Sequence, residues 1–328
     1  MKRILALALC LLMVCSVLVA CKGEQAENED KVKVVVLAAG ALGDRSFYDS
    51  ANEGLLALVE DFDVDGTVVE CNNENFLQQM TSAAETADVV IPVGWEFWEI
   101  EQLAPEVPET TFIWIDNETS VPYDNVLNIT YAQNEGSFLV GYLAAKMSET
   151  GIIGVVGGED SVTINDFIVG YEQGAKYANP DVVVEKRYSN TYDDVAIGKE
   201  CALALNDLGA DVIFQVAGKC GSGVFEAAAE RGFYAIGVDS DQKYLDENVI
   251  ICSMMKEVGR SIYAAVEAYL AGELEVGRTW VADLSEGYVG VGYGEEGAVQ
   301  QISDELKGEV DALIEKIVSG EIAVDTTR

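Results

Sequence analysis

A two-lobed α/β fold is what this 328-residue sequence predicts. Short β-branched runs alternate with longer amphipathic stretches from Lys31 onward, and that pattern restarts after Gly151. The length suffices for two domains of ordinary size. In the first half the strand-like runs are Val32–Leu37, Val68–Cys71, Val89–Val93, Thr111–Ile115 and Val126–Ile129. Each is almost continuously apolar, as expected of strands in a doubly wound parallel sheet covered by helices on both faces. Amphipathic stretches such as Tyr48–Glu60 and Asn75–Thr86 supply those helices. A helix over Glu135–Ser148 leads to Gly151, and the strands resume as Ile152–Val156, Val182–Arg187, Val212–Gln215, Tyr234–Val238 and Ile250–Ser253. The tail holds Trp280–Leu284, Gly287–Gly294 and an amphipathic helix near Asp304–Val318, too little for a third domain, so it returns to complete the two lobes. No sequence repeat is legible between the halves.

The N-terminus is an address rather than part of the fold. Lys2 and Arg3 precede an apolar or small run from Ile4 to Ala20, the two regions of a secretory signal peptide over residues 1–20. Leu18-Val19-Ala20-Cys21 resembles the bacterial lipobox, and that resemblance implies cleavage before Cys21 and acylation of its thiol. Residues 21–31 are polar and charged, without a large apolar side chain, and read as a flexible tether.

Composition excludes several function classes. With 57 acidic against 20 basic residues and a formal charge of −37, the chain repels nucleic acid and anionic headgroups alike, leaving a lipid anchor as its route to the membrane. The acids are scattered, with no Asp-rich calcium loop, so no metal is expected. Of seven cysteines, Cys10 and Cys15 leave with the signal and Cys21 is acylated. Cys71, Cys201, Cys220 and Cys252 have no CxxC or metal spacing and read as small buried side chains. The absence of histidine removes Ser-His-Asp and Cys-His chemistry and most zinc sites.

In open α/β sheets ligands bind beyond the carboxyl ends of strands. The first strand runs into Ala38-Ala39-Gly40-Ala41-Leu42-Gly43-Asp44-Arg45-Ser46-Phe47-Tyr48-Asp49. Its glycines allow close backbone approach and Ser46 suits a helix cap, but a plain loop does not account for Phe47 beside Tyr48. Other strand ends carry Gly94-Trp95, Asp116-Asn117, Ala217–Val224 and Gly237–Gln242. Gly218–Gly223 suggests a phosphate cradle but lacks the Lys-Ser/Thr ending of a P-loop.

At these residues the chain resembles the basic membrane protein family of ABC-transporter substrate-binding lipoproteins, which includes bacterial purine nucleoside receptors. The matching blocks are Asp44–Phe47, Asn134–Ala145, Gly154–Gly158, Gly209–Gly218, Ala235–Gln242 and Ser253–Lys256. The resemblance implies a type I periplasmic-binding-protein fold whose lobes are joined by a three-stranded hinge. It divides the chain into residues 32–132 plus about 254–284, and residues 133–253 plus about 285–328. It implies a non-enzymatic monomer without cofactor, lipid-anchored outside the cytoplasm, that passes a nucleoside to a permease and its ATPase. By position, Phe47 would stack on the base, Asp239 would accept from ribose hydroxyls and Lys256 would donate to ribose oxygens. Asp44, Ser46, Asp116 and Gly218 would be polar or rim contacts, with Trp95 and Phe167 candidates for the second aromatic wall. Glu135 would brace the helix after the interlobe crossing. Tyr48 departs from the asparagine of many relatives, which leaves the preferred nucleoside open, and Lys219-Cys220 interrupts a turn that is usually smaller. Binding of a sugar, signalling as a ligand-sensing surface receptor and nucleoside hydrolysis are the competing readings.

Overall fold

The computed structural model describes residues 31–71 and 75–327. The expected signal peptide, the expected acylation site Cys21 and the expected tether up to residue 30 lie outside the described residues. The first ten strands are β1 Val32–Ala38, β2 Val64–Glu70, β3 Val89–Val93, β4 Thr111–Ile115, β5 Val126–Tyr131, β6 Ile152–Gly157, β7 Val183–Tyr188, β8 Val212–Val216, β9 Tyr234–Asp239 and β10 Ile250–Lys256. Two short strands, β11 Arg278–Ala282 and β12 Val289–Gly292, come from the tail. They form two six-stranded sheets in the orders β11-β5-β4-β3-β1-β2 and β12-β10-β9-β8-β6-β7. Apart from β12, which runs antiparallel to β10, the pairings are parallel. Strands β1–β5 occupy the same places in one sheet as β6–β10 in the other, so the two halves repeat in structure without repeating in sequence.

The mid-sheet strands β3 and β8 are buried throughout, every residue lying in the interior. The edge strand β2 differs, beginning at Val64 rather than Val68 because Val64-Asp65-Gly66 pairs in register with Val32-Lys33-Val34. Its half-exposed, polar composition hid that start, since an edge strand needs only one covered face. Strand β10 likewise runs past Ser253 to Lys256, pairing with β9 on one side and β12 on the other. The expected boundary near residue 254 therefore falls inside β10.

The helices are α1 Phe47–Asp61, α2 Phe76–Ala84, α3 Ile100–Leu103, α4 Gln133–Met147, α5 Val162–Ala178, α6 Val195–Asp207, α7 Ser222–Arg231, α8 Val258–Ala271 and α9 Asp304–Val318. Two of them change sides. Helix α4 follows β5 of the first sheet yet packs on α5 of the second, while α8 follows β10 of the second sheet yet packs on α1 of the first. Both contacts bring backbone against backbone: a Cβ added at Gly174 would lie 1.9 Å from the carbonyl oxygen of Phe138, and one at Gly54 2.3 Å from that of Gly259.

The chain thus passes between sheets after Tyr131, after Lys256 and after Ala282. Side chains tie these passages together. The Glu135 carboxylate accepts from the Leu284 amide at 3.1 Å, linking the start of α4 to the third passage. Arg260 donates to the carbonyls of Glu286 and Gly287 at 2.9 and 2.8 Å while lying over the Tyr288 ring. Beyond α9 the tail returns along α4 and α5. Asn134 donates to the carbonyls of Val324 and Asp325, and the buried Asp166 accepts from the amide and hydroxyl of Thr327. Among the described residues, Cys71, Cys220 and Cys252 are buried, Cys201 is half-buried, and all four thiols are free.

Candidate ligand-binding site

The carboxyl ends of both sheets open onto one cavity of about 780 Å³ between the lobes. That volume lies within the usual range for small-molecule sites. Nine of the ten sequence-selected residues line it: Asp44, Phe47, Tyr48, Trp95 and Asp116 from the first half, Phe167, Gly218, Asp239 and Lys256 from the second.

Lys256, at the end of β10, is the centre of the polar part. Its side chain is 2% exposed, and its ammonium donates to the Asp116 carboxylate at 2.6 Å. Three rings surround the same ammonium, Phe47 at 5.1 Å, Tyr131 at 4.9 Å and Phe167 at 5.2 Å from ring centroid to nitrogen. Each ring face is electron-rich and attracts the cation. Phe167 is buried beside this cation and also lines the cavity, as Phe47 does.

Asp116 and Asp239 occupy equivalent positions, just beyond β4 and at the end of β9, and both have left-handed backbone, at φ 66° and 64°. This conformation is uncommon outside glycine, and aspartate is among the residues enriched in it. It turns the chain sharply at each strand end and leaves one carboxylate from each lobe at the cavity wall. Asp239 is buried, and burial pushes its pKa up to about 6. The Lys256 charge and the Ser46 hydrogen bond pull the other way, and the Asp44 and Asp116 charges add to the rise.

Two sequence-selected residues take roles other than rim contact. Ser46 is fully buried, precedes α1, and makes no cap to it; its hydroxyl instead donates to the Asp239 carboxylate across the cleft. Asp44 caps α1 in its place, accepting from the amides of Ser46, Tyr48 and Asp49 at 3.1, 2.9 and 3.1 Å. A carboxylate there satisfies amides that the first helical turn leaves open. Burial still raises the Asp44 pKa, with those three amides opposing. A second tie across the cleft runs from the Gln242 side chain to the Arg45 carbonyl at 2.9 Å. Asp239 and Gln242 from one lobe thus hold the Arg45-Ser46 turn of the other.

The remaining wall is aromatic and acidic. Tyr48 lies over Gly40, where an added Cβ would meet its ring at 2.8 Å, and Tyr192 lies over Gly158, where a Cβ would be 2.1 Å away. Gly40 and Gly158 follow the equivalent strands β1 and β6, so each lobe seats one tyrosine by leaving out a side chain. Trp95 is 54% exposed and stands at the mouth. Gly94, at φ 118°, makes the turn that precedes it, and the Trp114 indole N–H holds the Gly94 carbonyl at 2.9 Å. Gly218 lines the wall with positive φ, Lys219 is exposed at the rim and Cys220 faces the core.

Sequence reasoning did not select Tyr131, Tyr192, Glu96 or Glu159. Glu96, Glu159 and Tyr192 carried a usable signal, since each follows closely on the carboxyl end of a parallel strand, Glu96 in a single helical turn after β3, Glu159 after β6 and Tyr192 after β7. The role of Tyr131 depends on which side chain arrives over it from β10.

A family model described as ABC transporter substrate-binding protein, PnrA-like, matches residues 31–328. The chain belongs to this family. As a member it is a non-catalytic, extracytoplasmic substrate-binding protein of an ABC transporter, working with permease and ATPase components on a small ligand. It is 34% identical to basic membrane protein A1 of Borrelia garinii over 97% of this chain and 95% of that one. It is 32% identical to basic membrane protein A of Borreliella burgdorferi over 100% and 97%. Among solved structures, an ABC transporter solute-binding protein from Aeropyrum pernix superposes with TM-score 0.82 at 29% identity, covering 90% of this chain and 93% of that one. A solute-binding protein from Conexibacter woesei gives 0.74 at 25% identity, covering 90% and 99%. These solute-binding proteins share the two-lobed periplasmic-binding-protein architecture, which is thereby the fold of this PnrA-like chain.

Proposed function

We propose that the chain captures a purine nucleoside in the interlobe cavity for delivery to its permease, and that an acyl group on Cys21 holds it at the outer side of the cytoplasmic membrane. The lobes would be residues 32–132 and 133–253, each completed by tail segments, closing as a monomer around one ligand. The observation that carries the reading is the chemistry of one cavity wall, which presents the rings of Phe47, Tyr48 and Tyr192 together with the charged groups of Asp116, Asp239 and Lys256. A nucleoside asks for both, since its flat base stacks on rings while its ribose hydroxyls donate to carboxylates.

The charge of the wall narrows the ligand further. Asp44, Glu96, Asp116, Glu159, Asp193 and Asp239 face the cavity, against Lys219 and the Lys256 already engaged by Asp116. A phosphate would meet this field with only the exposed Lys219 at the rim to balance it, so nucleosides are favoured over nucleotides. Because contacts come from both lobes, ligand binding favours the closed arrangement, and affinity includes that closure.

Calorimetry with a nucleoside panel tests this reading. Phe47→Ala removes a ring from the base and a wall from the Lys256 cage, and is expected to weaken binding of every nucleoside by about tenfold or more. Asp239→Ala is expected to weaken nucleosides and to spare free bases, which carry no ribose. Unchanged nucleoside affinity in both variants would sink the assignment.

A further inference from the structure

The Glu96 side chain is the feature of the cavity that the ribose and stacking contacts do not use. It follows the Gly94 turn on the first lobe and lines the cavity, with Oε2 buried and without a hydrogen-bond partner. A buried carboxylate oxygen left unpaired is costly, and such an atom in a binding cavity calls for a donor from the ligand. Its charge is felt by the Tyr48 and Tyr192 hydroxyls, one from each lobe, which places it beside the aromatic wall.

We propose that Glu96 sets base selectivity, its carboxylate favouring nucleosides whose base edge carries adjacent N–H donors, guanosine above inosine and inosine above adenosine. This inference rests on the nucleoside reading above. Guanine presents N1–H beside the N2 amino group, a pair that one ionised carboxylate accepts in two parallel hydrogen bonds. Hypoxanthine keeps only N1–H. Adenine offers its N6 amino group next to an N1 lone pair, which repels an ionised carboxylate.

The proton on Glu96 changes this order. Burial, with the charges of Glu159 and Asp116 adding to it, pushes the Glu96 pKa up to about 7. Above that pH the ionised group accepts only. Below it the protonated group donates to adenine N1 while its other oxygen accepts from N6. Among the groups facing it, the Tyr48 and Tyr192 hydroxyls are held well above their ordinary range by burial and neighbouring acids. Both therefore stay neutral. Asp239 titrates near pH 6, but it would face the ribose that both nucleosides share, so the ratio of their affinities isolates Glu96.

Ligand-free protein and Glu96→Gln are titrated with guanosine, inosine and adenosine at pH 8 and pH 6. For the natural chain the guanosine-to-adenosine affinity ratio is expected to fall by about tenfold or more on going to pH 6. The glutamine amide imitates the protonated acid, which pairs with the N6–N1 edge of adenine or the N1–O6 edge of guanine alike, so the variant should hold the guanosine-to-adenosine ratio low at both pH values, with no response to pH. Its melting temperature should not fall, since the exchanged oxygen has no partner to lose. A ratio unaffected by the substitution, or flat with pH in the natural chain, would overturn the inference while leaving nucleoside capture standing. Equal loss of guanosine and adenosine in the variant would also overturn it, reducing Glu96 to a support of the wall. Failure of every nucleoside to bind the natural chain would remove both readings together.

Discussion

Lys256→Met is expected to lower nucleoside affinity by at least about a hundredfold and to destabilise the protein by about 3 kcal/mol at pH 8. The substitution keeps the length of the side chain and replaces its charged end by a thioether that tolerates aromatic neighbours. What it removes is the partner of Asp116 and the largest influence holding down the Asp239 pKa. Two carboxylates then face one another across the cleft with no cation between them. The cost depends on pH. Without the ammonium the Asp239 pKa rises further above its unfolded value, so the folded protein binds the extra proton, and stability falls as pH rises through the new pKa. The destabilisation measured by denaturant unfolding should therefore be larger at pH 8 than at pH 5. Equal costs at both would mean that the ammonium acts through packing among Phe47, Tyr131 and Phe167 rather than by charge.

Asp239→Asn should separate stability from function. In the natural chain the Asp239 pKa stands at about 6, above the ordinary 3.8, so the proton favours the folded state. That stabilisation is full at low pH and is lost as pH rises through about 6. At pH 8 the ionised side chain opposes folding by at most about 3 kcal/mol, and the amide relieves that opposition. The variant is therefore expected to melt higher than the natural chain at pH 8 and to show no such gain at pH 4. Its nucleoside affinity should drop by about tenfold to a hundredfold, because a neutral carbonyl accepts ribose hydroxyls less strongly than a carboxylate. A stabilised but weakened binder is the signature of a charge kept for the ligand rather than the fold. If the variant melts lower at pH 8, the Ser46 hydroxyl and the Lys256 ammonium already compensate Asp239, and its retention would need no ligand.

The strands buried on both faces were readable because burial makes them apolar throughout, and β3 and β4 stand where Val89–Val93 and Thr111–Ile115 are expected. What composition hid lay at edges and ends. Strand β2 is half-exposed, and β10 closes on Met254-Met255-Lys256, where a lysine disguises a strand whose ammonium is paired and caged. The candidate site was legible as strand ends carrying aromatic and acidic residues, and these do converge. The role of each residue was less accessible, because it depends on partners remote in sequence. Ser46 looks like a helix cap until Asp239 from the opposite lobe is beside it, and Asp44, which lines the cavity, also holds three amides of the α1 start. Phe167 lines the cavity as expected, but its contact with Lys256 shows only in the fold.

Isothermal titration of ligand-stripped protein with guanosine, ribose and free guanine tests nucleoside capture most directly. Binding of one guanosine per chain, tighter than either fragment by more than about a hundredfold, is the result nucleoside capture predicts. Ribose or another sugar binding tightly while guanosine and the other nucleosides give no heat would contradict it.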